Sequence, residues 1–229
     1  MSAKSYFGPG LFAFLRELKL NNRREWFTAN KGHYEDAVKG PAQHFISDVG
    51  PRLARLSPSF LADPRPVGGS LFRIYRDLRF GDDKTPYKTH TGIQFRHRAG
   101  NDAHAPGFYL HLEPRRCFVA AGTWRPDAEA LAQTREAIVA RPREWKRIRD
   151  GRRFRASFAL SGDVLARPPR GYDPSHPFIE DLKRKDFVAL TGLTERDVTS
   201  DGFLERFVGL CRDAGPFMRF LCEAIGATY

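Results

Sequence analysis

The sequence predicts an α+β fold, a twisted antiparallel β-sheet packed with helices from both ends of the chain. Three observations lead there. Apolar residues recur with helical spacing through the first quarter of the chain. From Leu71 to Trp124 the apolar period shortens to that of strands, and from Pro126 helical spacing returns.

The elements follow in order. Leu11, Phe12, Phe14, Leu15 and Leu18 line one side of a first helix, which Asn21-Asn22 ends. Asn22 with Glu25 three residues on has the form of a capping box. It predicts a second helix that carries Trp26, Phe27 and Tyr34 and stops near Lys39-Gly40-Pro41. Pro41 suits the first turn of a third helix with Phe45, Val49, Leu53 and Leu56 on its apolar side. Residues 57–70, rich in proline and glycine, form a connector. LFRIYRDLRF, GIQFRHR, GFYLHLEP and CFVAAGTW then read as four short strands, and their brief connections predict an antiparallel meander. A helix starts near Pro126, and Pro142 opens a short basic helix anchored by Trp145 and Ile148. FRASFAL and DFVALTGL are further strands, about six in all. LARPPRGYDPSHPF is an irregular loop, and two helices broken at Gly215-Pro216 end the chain. No linker divides these pieces. The expected organisation is one domain over 1–229, with a helical part at 9–57, the meander at 70–125 and a mixed part at 126–229.

Composition narrows the class. Hydrophobic residues make up 41% and aromatics 13%, enough for a substantial core. No run of about 18 apolar residues could span a membrane. The N-terminus lacks the form of a signal peptide, and Cys117, Cys211 and Cys222 include no close pair, so free thiols in a reducing cytoplasm are expected. The net charge of +11 is concentrated: residues 65–98 hold eight basic and three acidic side chains, and residues 141–155 hold eight and two. Such clusters suit an anionic partner, although Arg outnumbers Lys 29 to 9, which a compositional bias also produces.

Strand parity sorts the meander into faces. Ile93, Phe95, Phe108, Leu110, Leu112, Cys117 and Val119 form an apolar set that should pack on helices, and Phe72, Ile74, Leu78 and Phe80 share a face in the first strand. Gln94, Arg96, Tyr109, His111, Glu113, Phe118 and Trp124 form the other face of the later strands. Rings among cations and carboxylates suit a binding wall better than a solvated face.

The densest cluster is Arg73 to His90. It offers Arg73, Tyr75, Arg76, Asp77 and Arg79, a Gly81-Asp82-Asp83 turn, and then Lys84, Tyr87, Lys88 and His90. Here the chain resembles a widespread bacterial and fungal family known as a conserved domain of unknown function. The likeness is carried by Asn21-Asn22-Arg23-Arg24-Glu25-Trp26-Phe27 with Asn30-Lys31, and by the run from Arg73 to His90. Ala105–Glu113, Gly122–Pro126, Arg167–Asp173 and Lys185–Phe187 extend it, so that it runs from about Phe7 to Ile225. The resemblance implies an α+β domain and brings no reaction or substrate with it.

The residues themselves support several functions. In the first, Arg73, Arg76, Lys84 and Lys88 bind a phosphate- or carboxylate-bearing ligand, with Tyr75, Tyr87, Tyr109 and Trp124 as walls. His111 or His90 with Asp77 would exchange protons, because histidine titrates near neutrality. No nucleophile elbow, P-loop or dinucleotide fingerprint accompanies them, so no cofactor is expected. In the second, the basic 141–155 segment contacts nucleic acid. In a third, the Arg/Asp/Tyr cluster is a purely structural network. His90, His97, His104 and His111 recur every seven residues, but they fall in different strands and loops without ligand spacing, so no metal is expected.

Overall fold

The first helix, α1 (Pro9–Leu20), forms where the apolar spacing places it and buries Leu11, Phe12, Phe14, Leu15 and Leu18. The computed structural model describes residues 5–79, 83–100 and 105–229. Helix α2 (Arg24–Ala29) follows, but Asn22 does not cap it. The N-cap is Arg23, with no side-chain cap bond. The Asn22 amide instead reaches Tyr87: Nδ2 donates to the Tyr87 carbonyl at 2.9 Å and Oδ1 accepts from the Tyr87 N–H at 3.1 Å. Tyr87 is buried, so its backbone groups must find partners inside the protein, and this need outweighs a solvent-replaceable cap. Asn22→Ala is expected to destabilise the protein by about 1–3 kcal/mol, because the buried Tyr87 N–H loses its acceptor while the carbonyl keeps only the longer bond from Arg76. A urea denaturation midpoint unchanged by the substitution would rule this out.

α3 (Lys31–Tyr34), a π-helical turn (Glu35–Lys39) and α4 (Gly40–Leu56) run on without the stop expected at Lys39-Gly40-Pro41. Pro41 lacks an N–H and crowds the carbonyl four residues before it. The widened π turn lets the chain pass this point and continue.

Among the described residues the sheet has five strands, all antiparallel, in the order β1-β2-β3-β5-β4. β1 (Thr91–Arg96), β2 (Gly107–Leu112) and β3 (Cys117–Thr123) form the meander. β5 (Phe187–Leu193) pairs beside β3 and carries β4 (Ala159–Ser161) at the edge. The stretch LFRIYRDLRF is not a strand over its described residues. Leu71 bridges Ile93, and Phe72 N donates to Gly92 O. Three residues on, the chain switches partner: Tyr75 bridges Tyr87, with Arg76 N bonded to Pro86 O and Lys88 N to Ile74 O. Pro86 cannot donate, so this second pairing stops after one bridge. Phe80, Gly81 and Asp82 lie outside the described residues, as does His104.

FRASFAL divides as well. Its first half belongs to α7 (Arg152–Ser157), because Phe154 and Phe158 are four residues apart and stack at 5.8 Å, and only the end enters β4. α5 (Ala128–Ala140) is capped by Asp127, which accepts from Ala130 N, and α6 (Pro142–Arg149) opens on its proline. Short helices α8 (Ile179–Leu182) and α9 (Glu195–Val198) flank β5, and α10 (Phe203–Asp213) and α11 (Gly215–Ala224) end the fold.

The alternation in the meander is obeyed: Ile93, Phe95, Phe108, Leu110, Leu112, Cys117 and Val119 are all buried. Phe207 of α10 meets Phe95 at 5.2 Å, and Trp145 of α6 meets Phe187 and Phe220. Behind α10, Phe45 of α4 stacks on Phe203 at 5.4 Å. Helices from both ends of the chain therefore cover one face. Among the described residues, no helix is long and apolar enough to cross a membrane.

Candidate functional site

The other face of the sheet is hollow because its middle positions are small. Cross-strand register sets Gln94, Tyr109, Ala120 and Leu190 in one row and Gly107, Gly122, Val188 and Ser161 in the next. A third row holds Gly92, His111, Phe118 and Gly192. A cavity of about 660 Å³ lies on this floor, with Phe72, Lys88, His90, Trp124, Arg125, Asp163 and Asp186 among the residues of its walls. Gly92 makes room for the rings: a Cβ there would sit 2.6 Å from the Tyr109 hydroxyl and 3.2 Å from the Phe72 ring.

At the β1–β2 end the rings pack in sequence. His90 stacks on His111 at 4.5 Å, and His111 stacks on Phe118 at 4.6 Å. Nδ1 of His111 lies 3.1 Å from the Tyr109 hydroxyl, and Nε2 lies 3.2 Å from Glu113 Oε2. A carboxylate cannot donate, so the Glu113 side fixes the proton on Nε2. Nδ1 then accepts from the tyrosine. Burial holds His111 below its ordinary pKa despite Glu113, and pushes Tyr109 up to about 12, so the phenol and the neutral imidazole are the resting forms. Burial, and then the neighbouring His111, lowers His90 to about 4.

Because the folded state disfavours protonated His90, unfolded chains bind more protons between pH 6.5 and 4. Stability is fully present above the unfolded pKa and falls as pH drops through that window. With part of the ring still wetted, the loss is about 1–2 kcal/mol. Urea denaturation at pH 7 and pH 4.5 checks this: His90→Gln should flatten the difference, and an unchanged difference would remove His90 as its source.

Lys88 stands on the cavity wall beside the Phe72 ring, 5.7 Å from its centroid, and Nζ donates to Arg73 O at 3.0 Å. Burial, followed by Arg73 and Arg76, lowers its pKa. No carboxylate lies within ion-pair distance of it among the described residues. At the β4–β5 end, buried Asp186 accepts from the Arg125 N–H at 2.5 Å and from the Asp163 N–H at 3.2 Å. Arg125 adopts φ +47°, a conformation held there by that carboxylate, and its guanidinium lies over Trp124 at 4.8 Å.

A family model described as a conserved hypothetical protein (DUF2461) matches residues 10–220. The chain belongs to this family. No curated protein and no solved structure matches it.

In this family member, five of the sequence-derived candidates come together: Lys88, His90, Tyr109, His111 and Trp124 all line the cavity. Arg73, Tyr75, Arg76, Asp77, Lys84 and Tyr87 do not. Tyr87 is core, stacked on Phe27 at 4.2 Å, and Tyr75 packs over Tyr87 with its own ring half exposed. Arg76 reaches Asp83 at 3.1 Å and Tyr87 O at 3.3 Å. Asp77 is held by Arg79 through its side chain and backbone, which keeps its carboxyl far below the usual range. Lys84 donates to Leu78 O, and Arg73 is exposed. These six form a strand–loop network beside the cavity, so no eleven-residue pocket is assembled. The reason is the partner switch after Leu71. Because Leu71 lies opposite Ile93, Phe72 belongs to the open face, one residue out of step with the parity expected of it. Ser161, Asp163, Arg125 and Asp186 were not among the sequence-derived site candidates, although Arg125 and Asp186 fall within the Gly122–Pro126 and Lys185–Phe187 segments that carry the family resemblance.

Proposed function

We propose that the cavity binds a small ligand carrying one phosphate or carboxylate group on a largely apolar, planar body. Lys88 carries the reading. It is a half-buried ammonium facing a cavity, bonded to one carbonyl and depressed in pKa by burial, which an incoming anion would relieve. The rings of Phe72, Tyr109, Phe118 and Trp124 suit a flat apolar partner. The Tyr109–His111–Glu113 chain supports proton transfer to or from that ligand, with the phenol as the group that meets it. The network from Arg73 to Lys84 serves in this reading to hold the loop that presents Lys88.

The test is calorimetric titration of aryl carboxylates and aryl phosphates into the full chain. Loss of one charge-assisted bond is worth about 1.5–3 kcal/mol, so Lys88→Ala should weaken binding by about 10- to 100-fold. Arg73→Ala should bind as the parent does. Equal affinity of the Lys88→Ala variant and the parent would end the proposal, as would binding lost only with Arg73→Ala.

A further inference from the structure

A second concavity, of about 630 Å³, lies where α6 and α7 meet the α10–α11 corner, away from the cavity on the sheet. Arg147, Arg152, Arg153, Arg212 and Arg219 line it, and all five are exposed. Three basic residues on α6 supply a contrast. Arg141 is paired with Glu144 and Glu223, Lys146 with Asp150, and Arg149 with Asp150 and Asp181, so their charges are spent on holding the fold. The five groove arginines have no ion-pair partner among the described residues. Two carboxylates share the groove, but Glu144 is turned to Arg141 and Asp213 accepts from the Ser157 hydroxyl at 2.8 Å. Five guanidinium groups in one groove repel one another, and among the described residues Asp213 is the one groove carboxylate without a cation partner to set against them, so a net positive charge remains. The N-terminal turn of the ten-residue α11, at Gly215-Pro216, opens into the same groove and adds its positive end.

We infer that this groove binds the phosphodiester backbone of single-stranded nucleic acid. Guanidinium forks match phosphate oxygens two at a time, which lysines do not. Arg143 and Arg155, also exposed and without an ion-pair partner among the described residues, extend the positive surface beyond the groove lining on the same two helices. A strand supplies one charge per nucleotide along its length, which suits cations distributed over two helices and the groove between them. A flexible single strand also follows a concave path that a rigid duplex does not enter. Tyr229 is already engaged, packed against Phe60 at 5.8 Å with Arg219 over its ring at 4.7 Å, so the groove contacts are to phosphate and little base selectivity is expected.

The experiment is fluorescence anisotropy of the full chain with a labelled oligonucleotide of about a dozen thymidines. With four to five phosphate contacts the logarithm of affinity should fall with the logarithm of salt at a slope of about −3, or some 60-fold between about 50 and 200 mM. The double variant Arg152→Gln/Arg219→Gln should lower affinity more than about tenfold and make the slope shallower by about 1, with its urea midpoint unchanged. A second pair, Arg147→Gln/Arg212→Gln, should do the same if the first is destabilised. Lys88→Ala should leave oligonucleotide binding untouched, which separates this groove from the cavity on the sheet. The inference is overturned by absence of binding at about 50 mM salt, or by unaltered affinity in both pairs. It is also overturned if inorganic triphosphate displaces the oligonucleotide at equal phosphate concentration, which would make the groove a site for a compact anion.

Discussion

Gly122→Ala is expected to be among the most damaging single-atom changes available to this protein. Gly122 lies in β3 with φ +132°, and an added Cβ would sit 2.0 Å from the carbonyl oxygen of Phe187 on β5. Backbone strain of this kind costs about 1–3 kcal/mol, and the forced separation of packed neighbours costs a further 1–3. The residue pairs with Gly107 and Val188 in the middle of the sheet, so a displaced strand shifts the cavity floor as well. The expected result is a loss of about 2–6 kcal/mol in urea denaturation, accompanied by weaker binding in the cavity. Gly192→Ala on β5 is the control. A Cβ there meets nothing within 4 Å, and the change should be nearly neutral. Equal stability of the two variants would show that the close approach at Gly122 relaxes without cost.

Trp145→Ala should have a comparable effect for a different reason. Trp145 is fully buried among Phe187, Phe217 and Phe220, and its indole N–H donates to Asp181 Oδ2 at 2.8 Å. Asp181 is itself buried. It accepts from Arg149 at 3.0 Å, while Arg184 Nε stands 3.5 Å away without hydrogen-bond alignment. Removing the indole opens a cavity and takes one donor from a buried carboxylate, for an expected loss of about 3–5 kcal/mol. Trp145→Phe keeps most of the packing and loses only the donor, so its cost should be nearer about 1–3 kcal/mol. A Trp145→Phe variant as unstable as Trp145→Ala would assign the stability to the Asp181 network instead of to the ring. A parent-like Trp145→Ala would remove Trp145 as the anchor of the basic helix.

The positions that line the cavity were legible in the sequence where local pattern and tertiary environment agree. Tyr109, His111 and Phe118 alternate with buried neighbours on paired strands, and parity alone puts them on one face. Trp124 follows just past the end of β3, and Lys88 and His90 just precede β1, so they stand at opposite ends of the strands and bracket the cavity floor. Arg73, Tyr75, Arg76 and Asp77 misled because charge density marks an ordered network as readily as a binding site. Their own partners, Asp83, Arg79 and the backbone of residues 86–88, account for most of that density. Asp186 and Asp163 carried no signal in isolation. A buried carboxylate that accepts two backbone N–H groups looks, in sequence, like any other aspartate.

What the sequence determined by itself was the α+β class, the faces of the meander and most helix positions, because helical and strand periods are properties of neighbouring residues. Tertiary structure alone decided that residues 71–79 change partner, that Asn22 serves Tyr87 instead of a helix end, and that Arg212 and Arg219 join the basic helices in one groove. Each of these depends on groups far apart in the chain. A backbone donor or a cation takes whichever partner the completed fold brings within reach, and spacing along the chain does not encode that distance.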